Sequence, residues 1–261
     1  MDKGSIGIFD SGLGGLWVIK HLKKELPLYD YIFLGDELNV PFGEKTPDEL
    51  FNITTKALNY LYGEKNCMGV VLACNTISSN IYNRLREWKD KNYFGRILFG
   101  IVRPTVESLD KENPVVIFAT SRTCQSEVYE KFLHVNVKNY KKVPLPDLAH
   151  LIETGGDTLS YISSFKNIVE SSVKEGALLC THYGIVKSDF QKAFPNIKDW
   201  VSQEDLLPKY LKNYFIEFPE REAFFNHGGS FEVLITKENV VFNNFAKTWF
   251  GKNTDIKIIK L

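Results

Sequence analysis

Ile6-Gly7-Ile8-Phe9-Asp10-Ser11-Gly12-Leu13-Gly14-Gly15 sets an apolar run, a carboxylate and a glycine-rich turn in a row. Ile6 to Phe9 reads as a buried strand. Leu16, Ile19 and Leu22 then fall at helical spacing, so a helix is expected from Leu16 to Leu26. Strand, turn and helix are the first half of a βαβ unit. A glycine-rich turn at a helix N-terminus can hold an anion on backbone N–H groups, or can simply be a tight turn. It is not a dinucleotide fingerprint, because Trp17 stands where the last glycine of G-x-G-x-x-G is required.

Outward from this stretch the same alternation continues. Strands are expected at 31–34, 70–73 and 97–101, and helices at 48–62, with Pro47 as a first-turn residue, and at 78–91. The pattern then restarts. Pro114 to Phe118 reads as a strand, Ala119 to Thr123 as a polar turn, Ser126 to Leu133 as a helix, and Ala177 to Leu179 as a short strand. A change of segment is expected around Pro208, followed by strand 231–235, a helix at 239–250 and strand 256–259.

One strand runs directly into Cys74 and another directly into Cys180. Measured from the strand ends at Asp10 and Ala119, the spacings are 74 − 10 = 64 and 180 − 119 = 61. This weak internal symmetry predicts an α/β fold of two similar parallel-sheet domains related by a pseudo-twofold axis. Each puts one cysteine at the carboxyl end of a strand, where ligands bind to such sheets. The expected division is residues 1–98, completed by 209–261, and residues 99–208.

Charge and composition narrow the function. The 32 basic and 32 acidic residues balance, which argues against nucleic acid as a partner and against a polybasic membrane surface. No stretch approaches the roughly 18 apolar residues of a membrane span. Met1-Asp2-Lys3-Gly4-Ser5 leads into the first strand with no signal peptide, so a cytoplasmic location is expected. Cys67, Cys74, Cys124 and Cys180 show no C-x-x-C pair and no histidine at zinc-ligand spacing, so no metal is expected. Cys67 and Cys124 read as small buried hydrophobes.

Cys74-Asn75-Thr76 and Cys180-Thr181-His182 each follow a thiol with residues able to hydrogen-bond a carboxylate. A thiol at a helix N-terminus or beside a histidine ionises more readily. Two thiols facing one another would suit inversion of a stereocentre, one removing a proton from one face while the other delivers a proton to the opposite face. Two core cysteines or a disulfide are the other readings of the pair.

These motifs resemble those of glutamate racemase, in the aspartate/glutamate racemase superfamily. The likeness rests on the opening ten residues quoted above, on Gly35-Asp36 with Pro41-Phe42-Gly43, on Ala73-Cys74-Asn75-Thr76, and on Cys180-Thr181-His182-Tyr183. Ala119-Thr120 with Thr123, Leu151-Ile152-Glu153 before Gly155, and the ending around Phe245-Ala246-Lys247 and Phe250-Gly251 extend it over nearly the whole chain. The resemblance implies an isomerase with its site between two domains, acting on glutamate without pyridoxal phosphate or metal. It implies Cys74 as the base for D-glutamate and Cys180 for L-glutamate, supported by Asp10 and His182 respectively, with Glu153 a further helper. It implies a pocket wall of Ser11, Pro41, Phe42, Gly43, Asn75, Thr76, Thr120, Thr123 and Thr181, with Asp10, Cys74 and His182 also in reach of substrate. A role in supplying D-glutamate to peptidoglycan, and so to cell-wall biogenesis and cell shape, follows from it, and a homodimer is among the assemblies it allows.

The chain departs from the family at four places. Phe42 stands for a tyrosine, Asn39 for an arginine and Gly184 for a proline, and an acidic-serine motif is missing near Ser202-Gln203. The alternatives are an aspartate or other amino-acid racemase of the superfamily, a non-catalytic binding or regulatory protein on this fold, and a periplasmic-type pair of binding domains. His182 separates the first, because aspartate racemases resemble Cys-Thr-Glu there.

Overall fold

The computed structural model describes residues 3–136 and 139–261; Met1 and Asp2, part of the start read as leaderless, lie outside them. The first four strands are β1 (Ile6–Asp10), β2 (Tyr31–Gly35), β3 (Gly69–Leu72) and β4 (Ile97–Phe99). The next four are β5 (Val115–Ala119), β6 (Tyr140–Pro144), β7 (Glu175–Leu179) and β8 (Asp199–Ser202), and the chain ends with β9 (Phe231–Ile235) and β10 (Ile256–Ile258). They form two sheets, ordered β10-β9-β2-β1-β3-β4 and β6-β5-β7-β8. Every neighbouring pair is parallel.

The two sheets share one winding. In each, the first strand of the repeat lies between the second and the third, with the fourth outside the third. The chain therefore reverses direction across the sheet between β1 and β3, and again between β5 and β7. Such a reversal opens a crevice at the carboxyl ends of the strands. Phe9 pairs with Leu72 in the first sheet and Ala119 with Leu179 in the second. Cys74 thus follows its strand by two residues and Cys180 by one, each at the crevice of its own sheet.

Alternation along the strands builds a core on both faces. Ile6, Ile8, Phe33 and Val71 pack with residues of helices Leu13–Glu25, Gln203–Glu217 and Val240–Phe250. Phe9, Leu34, Val70 and Leu72 point the other way, toward helices Pro47–Asn59 and Asn75–Asn92. Val116 and Phe118 divide from Val115 and Ile117 in the same manner. Strands buried on both faces read as continuous apolar runs, which is why the central ones were legible.

Several boundaries differ from expectation. The first helix begins at Leu13, so Gly14 and Gly15 occupy its first turn instead of preceding it. Helix Asn75–Asn92 starts directly after Cys74. The polar turn after β5 is a short helix, Ser121–Cys124, capped by Thr120, whose side chain accepts from Thr123 N. Pro208 lies inside helix Gln203–Glu217, not at a change of segment. Pro47 does open its helix, where Thr46 and Glu49 form a reciprocal capping box. Among the described residues, no helix is long and apolar enough to cross a membrane.

Candidate active site

Cys74 is the N-cap of helix Asn75–Asn92, which sets it at the end where the first-turn N–H groups gather, without a side-chain capping bond. Burial pushes this thiol well above its ordinary value, and the charges of Asp10 and Cys180 push the same way. The N–H groups of Ile77 and Thr76 pull it back only in part. No hydrogen bond joins Asp10 to Cys74; the carboxyl acts on the thiol through its charge.

Cys180 is equally buried, at 8% exposed against 7% for Cys74. Its sulfur lies 3.9 Å from His182 Nδ1. The other ring nitrogen, Nε2, is 2.8 Å from Glu153 Oε1. Burial works against a charged imidazole, but hydrogen bonds and charges from Cys180 and Glu153 outweigh it, and His182 is held well above the usual histidine value. Glu153 is held below the usual carboxylate value: its burial acts upward, while the hydrogen bond and charge of His182 act downward more strongly. The result is a relay of sulfur, imidazole and carboxylate.

Asp10 sits beneath the junction of the two sheets with no exposed surface. Its Oδ1 accepts from Gly12 N at 3.1 Å, from Gly15 N at 3.0 Å and, at 3.4 Å, from Ser11 Oγ; its Oδ2 accepts from Thr181 Oγ1 at 3.4 Å. Burial raises its carboxyl despite the opposing pull of His182 and these donors. The last contact spans the two repeats, and the glycines permit it. A Cβ on Gly14 would overlap Thr181 Oγ1 and stand 2.7 Å from His182 N, and one on Gly15 would stand 2.7 Å from Asp10 Cγ. Glycine is needed here for close approach, not for left-handed backbone.

A cleft of about 560 Å³ lies between the sheets. Its lining includes Ser11, Pro41, Phe42, Gly43, Cys74, Asn75 and Thr76 from the first repeat, with Thr120, Glu153, Cys180, Thr181 and His182 from the second. Of the expected residues, Asp10 and Thr123 do not line it. Asp10 is buried behind Ser11, and Thr123 stands behind Thr120, whose Oγ1 donates to Thr123 Oγ1 at 3.0 Å. Thr76 and Thr120 hydroxyls meet across the cleft at 3.4 Å. Asn75 Oδ1 accepts from Tyr129 Oη at 2.6 Å and Gln203 Nε2 at 3.2 Å, which leaves its buried Nδ2 without a protein partner.

The sequence reading missed Val40, Glu44, Ser121, Pro146, Asp147, Ala149, His150 and Leu179, which also line the cleft. Pro146 to His150 follow β6 and run into helix Leu148–Thr154; β6 carries no apolar run, so nothing flagged the segment behind it. All four cysteines are free thiols, which removes the disulfide reading. Burial raises Cys67 to about 12 and Cys124 to about 11, and neither lines the cleft.

Two departures from the family pattern have local partners. Asn39 Nδ2 donates to both oxygens of Asp36, at 3.1 and 2.8 Å. Gly184 faces the buried Glu204, whose Cδ lies 2.5 Å from where a Cβ would be, so a larger residue there requires the Glu204 carboxyl to move. Nothing in the structure explains Phe42 in place of tyrosine.

No protein-family model matches the chain. It is 32% identical to glutamate racemase 1 of Caldanaerobacter subterraneus subsp. tengcongensis, over 98% of this chain and 97% of the relative. It is 36% identical to glutamate racemase of Fusobacterium nucleatum subsp. nucleatum, over 74% of each. Its fold matches a crystal structure of a glutamate racemase isoform from Bacillus anthracis with a TM-score of 0.86, at 20% identity, covering 100% of this chain and 99% of the other.

Proposed function

The chain belongs to the glutamate racemase family, and from that premise we propose that Cys74 and Cys180 are the acid–base pair of a two-base racemisation. It is an isomerase that interconverts L- and D-glutamate, the step that supplies D-glutamate for peptidoglycan. The observation that carries the assignment is the pair of buried free thiols, each at the carboxyl end of the third strand of its repeat and both lining one cleft.

In the proposed reaction Cys74, as thiolate, takes the α-proton of D-glutamate while the Cys180 thiol gives a proton to the opposite face. The reverse sequence converts L-glutamate. His182 stabilises the Cys180 thiolate as an imidazolium, and Glu153 holds that ring in its orientation. The N–H groups of Thr76 and Ile77 do the corresponding work for Cys74. The α-proton of an amino acid is very weakly acidic, so carbanion character has to be met by fixed donors in a site closed to water. In this reading Asn75, whose buried Nδ2 is unpaired, is a donor; Ser11, Thr76, Thr120 and Thr181 line the pocket, with Pro41, Phe42 and Gly43 as wall, Thr123 as support for Thr120, and Asp10 holding Ser11 and Thr181.

The same reading needs no pyridoxal phosphate and no metal, and carries with it a cytoplasmic enzyme, a homodimer as the assembly, and domains of 1–98 with 209–261 and of 99–208. Helix Gln203–Glu217 takes the chain back from the second sheet to the first. The test is chiral chromatography of L-glutamate and, separately, L-aspartate after incubation with purified protein. The protein is first dialysed against a chelator and treated with a carbonyl reagent that captures pyridoxal phosphate. Formation of D-glutamate is expected. Faster turnover of aspartate, or activity that returns only with added cofactor, would overturn the reading.

A further inference from the structure

Glu37 follows β2 after Gly35-Asp36, behind the cleft lining, and the mechanism above leaves it unused. It is 5% exposed. Its Oε2 accepts from Asn239 Nδ2 at 2.7 Å, while Oε1, fully enclosed, has no partner. Asn239 is itself fixed, its Oδ1 capping helix Val240–Phe250 through Val241 N and Phe242 N. The free oxygen lies against Gly12: a Cβ there would overlap Oε1 and stand 3.0 Å from Cδ. Gly12 is the residue whose N–H holds Asp10.

A carboxylate with one oxygen enclosed and unpaired is costly, and protonation of that oxygen removes the charge. Three titratable groups from the surrounding elements act on it: Asp10 at the end of β1, Glu153 on helix Leu148–Thr154, and His182 after β7. Burial, with the charges of Glu153 and Asp10 adding to it, raises Glu37 to about 7 against the opposing pull of Asn239 and His182. Neighbouring Asp36 is turned to Asn39 and Thr236 instead.

We propose that Glu37 is a positioning residue for the racemisation: as a neutral acid it packs against Gly12 and steadies the turn that holds Asp10, and as an anion it adds a second carboxylate beside Asp10, on the side where charge already opposes the Cys74 thiolate. This rests on the two-thiol reading above. Thiolates form more readily as pH rises, so an ionising Glu37 blunts a gain that the wild-type enzyme would otherwise show.

The test compares wild type with Glu37→Gln, a neutral side chain of the same shape, as kcat/KM for glutamate across pH. The ratio of variant to wild type is expected to rise on the order of 5- to 10-fold between about pH 6 and about pH 9, the effect of one charge on a nearby ionisation. A flat or falling ratio overturns the proposal. Should the variant not fold, infrared difference spectra of the wild type between the same pH limits decide: the carbonyl band of a buried protonated acid should vanish with a midpoint near neutrality, and its absence at the acid limit overturns the proposal. Failure of either kind leaves the thiol assignment standing, whereas racemisation by a variant lacking either thiol sinks both.

Discussion

Cys74 and Cys180 follow the third strands of two repeats with one winding, yet the groups around them are not equivalent. Where the first repeat ends its opening strand in Asp10, the second ends it in Ala119. Two residues beyond the thiol stands Thr76 in one repeat and His182 in the other. Cys74 caps an 18-residue helix, whereas Cys180 leads into a four-residue 3-10 turn, Tyr183–Val186. The strand order around the two thiols is thus shared, and the electrostatics are not. A helix N-terminus offers partial positive charge from N–H groups, and an imidazolium offers a full one. Each can stabilise a thiolate, so symmetric proton transfer does not require symmetric side chains.

The sharpest break in this comparison comes from the thiols themselves. Replacing either by serine should lower racemisation by 10²-fold or more, because each turnover needs both a base and an acid. The two variants should then diverge on analogues that lose a leaving group from the β-carbon, which need only proton removal. Cys74→Ser should process the L-analogue and Cys180→Ser the D-analogue. Near wild-type racemisation by either variant would end the two-base account.

Next in size is the seam between the repeats. Gly14→Ala forces Thr181 and His182 away from the first helix, and a shift near 1 Å at reacting groups can cost about 10²-fold. A loss of kcat with little change in melting temperature is expected. Unchanged kinetics would mean that the contact does not position the site.

The asymmetry itself is tested by His182→Asn and Asp10→Asn. The enantiomers have equal free energy, so kcat/KM must stay equal in the two directions of racemisation for every variant, and elimination assays are required. His182→Asn should slow the L-analogue roughly 10-fold more than the D-analogue, as expected for weakened acid–base chemistry on one side. Asp10→Asn, which removes a charge that opposes ionisation of Cys74, should favour the D-analogue. Equal effects on both analogues would show the two sides to be coupled.

The smallest effect concerns stability. Glu153 titrates below its ordinary value in the fold, so the unfolded chain binds more protons as pH falls through the carboxylate range. The stability it contributes is present above its ordinary value and lost as pH falls toward the folded one. Glu153→Gln should be roughly 1 kcal/mol less stable than wild type near neutrality, and the difference should shrink to nothing in acid, as read by urea denaturation. A difference independent of pH would point to packing alone.

The central strands and both thiol positions are legible along the chain alone. β1, β3, β5 and β7 are buried on both faces, so their apolar runs stand out, and a cysteine set directly after such a run is visible in one dimension. β6 and β8 escaped notice because they are edge strands, and Tyr-Lys-Lys-Val-Pro and Asp-Trp-Val-Ser carry the charged and polar residues that edges tolerate. Along the chain the glycines at 14 and 15 look like a turn, since their reason lies in Thr181, His182 and Asp10 pressing on the helix. Glu37 and its partner Asn239 are 202 residues apart. Only the tertiary structure could bring them together, because burial and the loss of a hydrogen-bond partner are properties of the packed chain and leave no periodic trace along it.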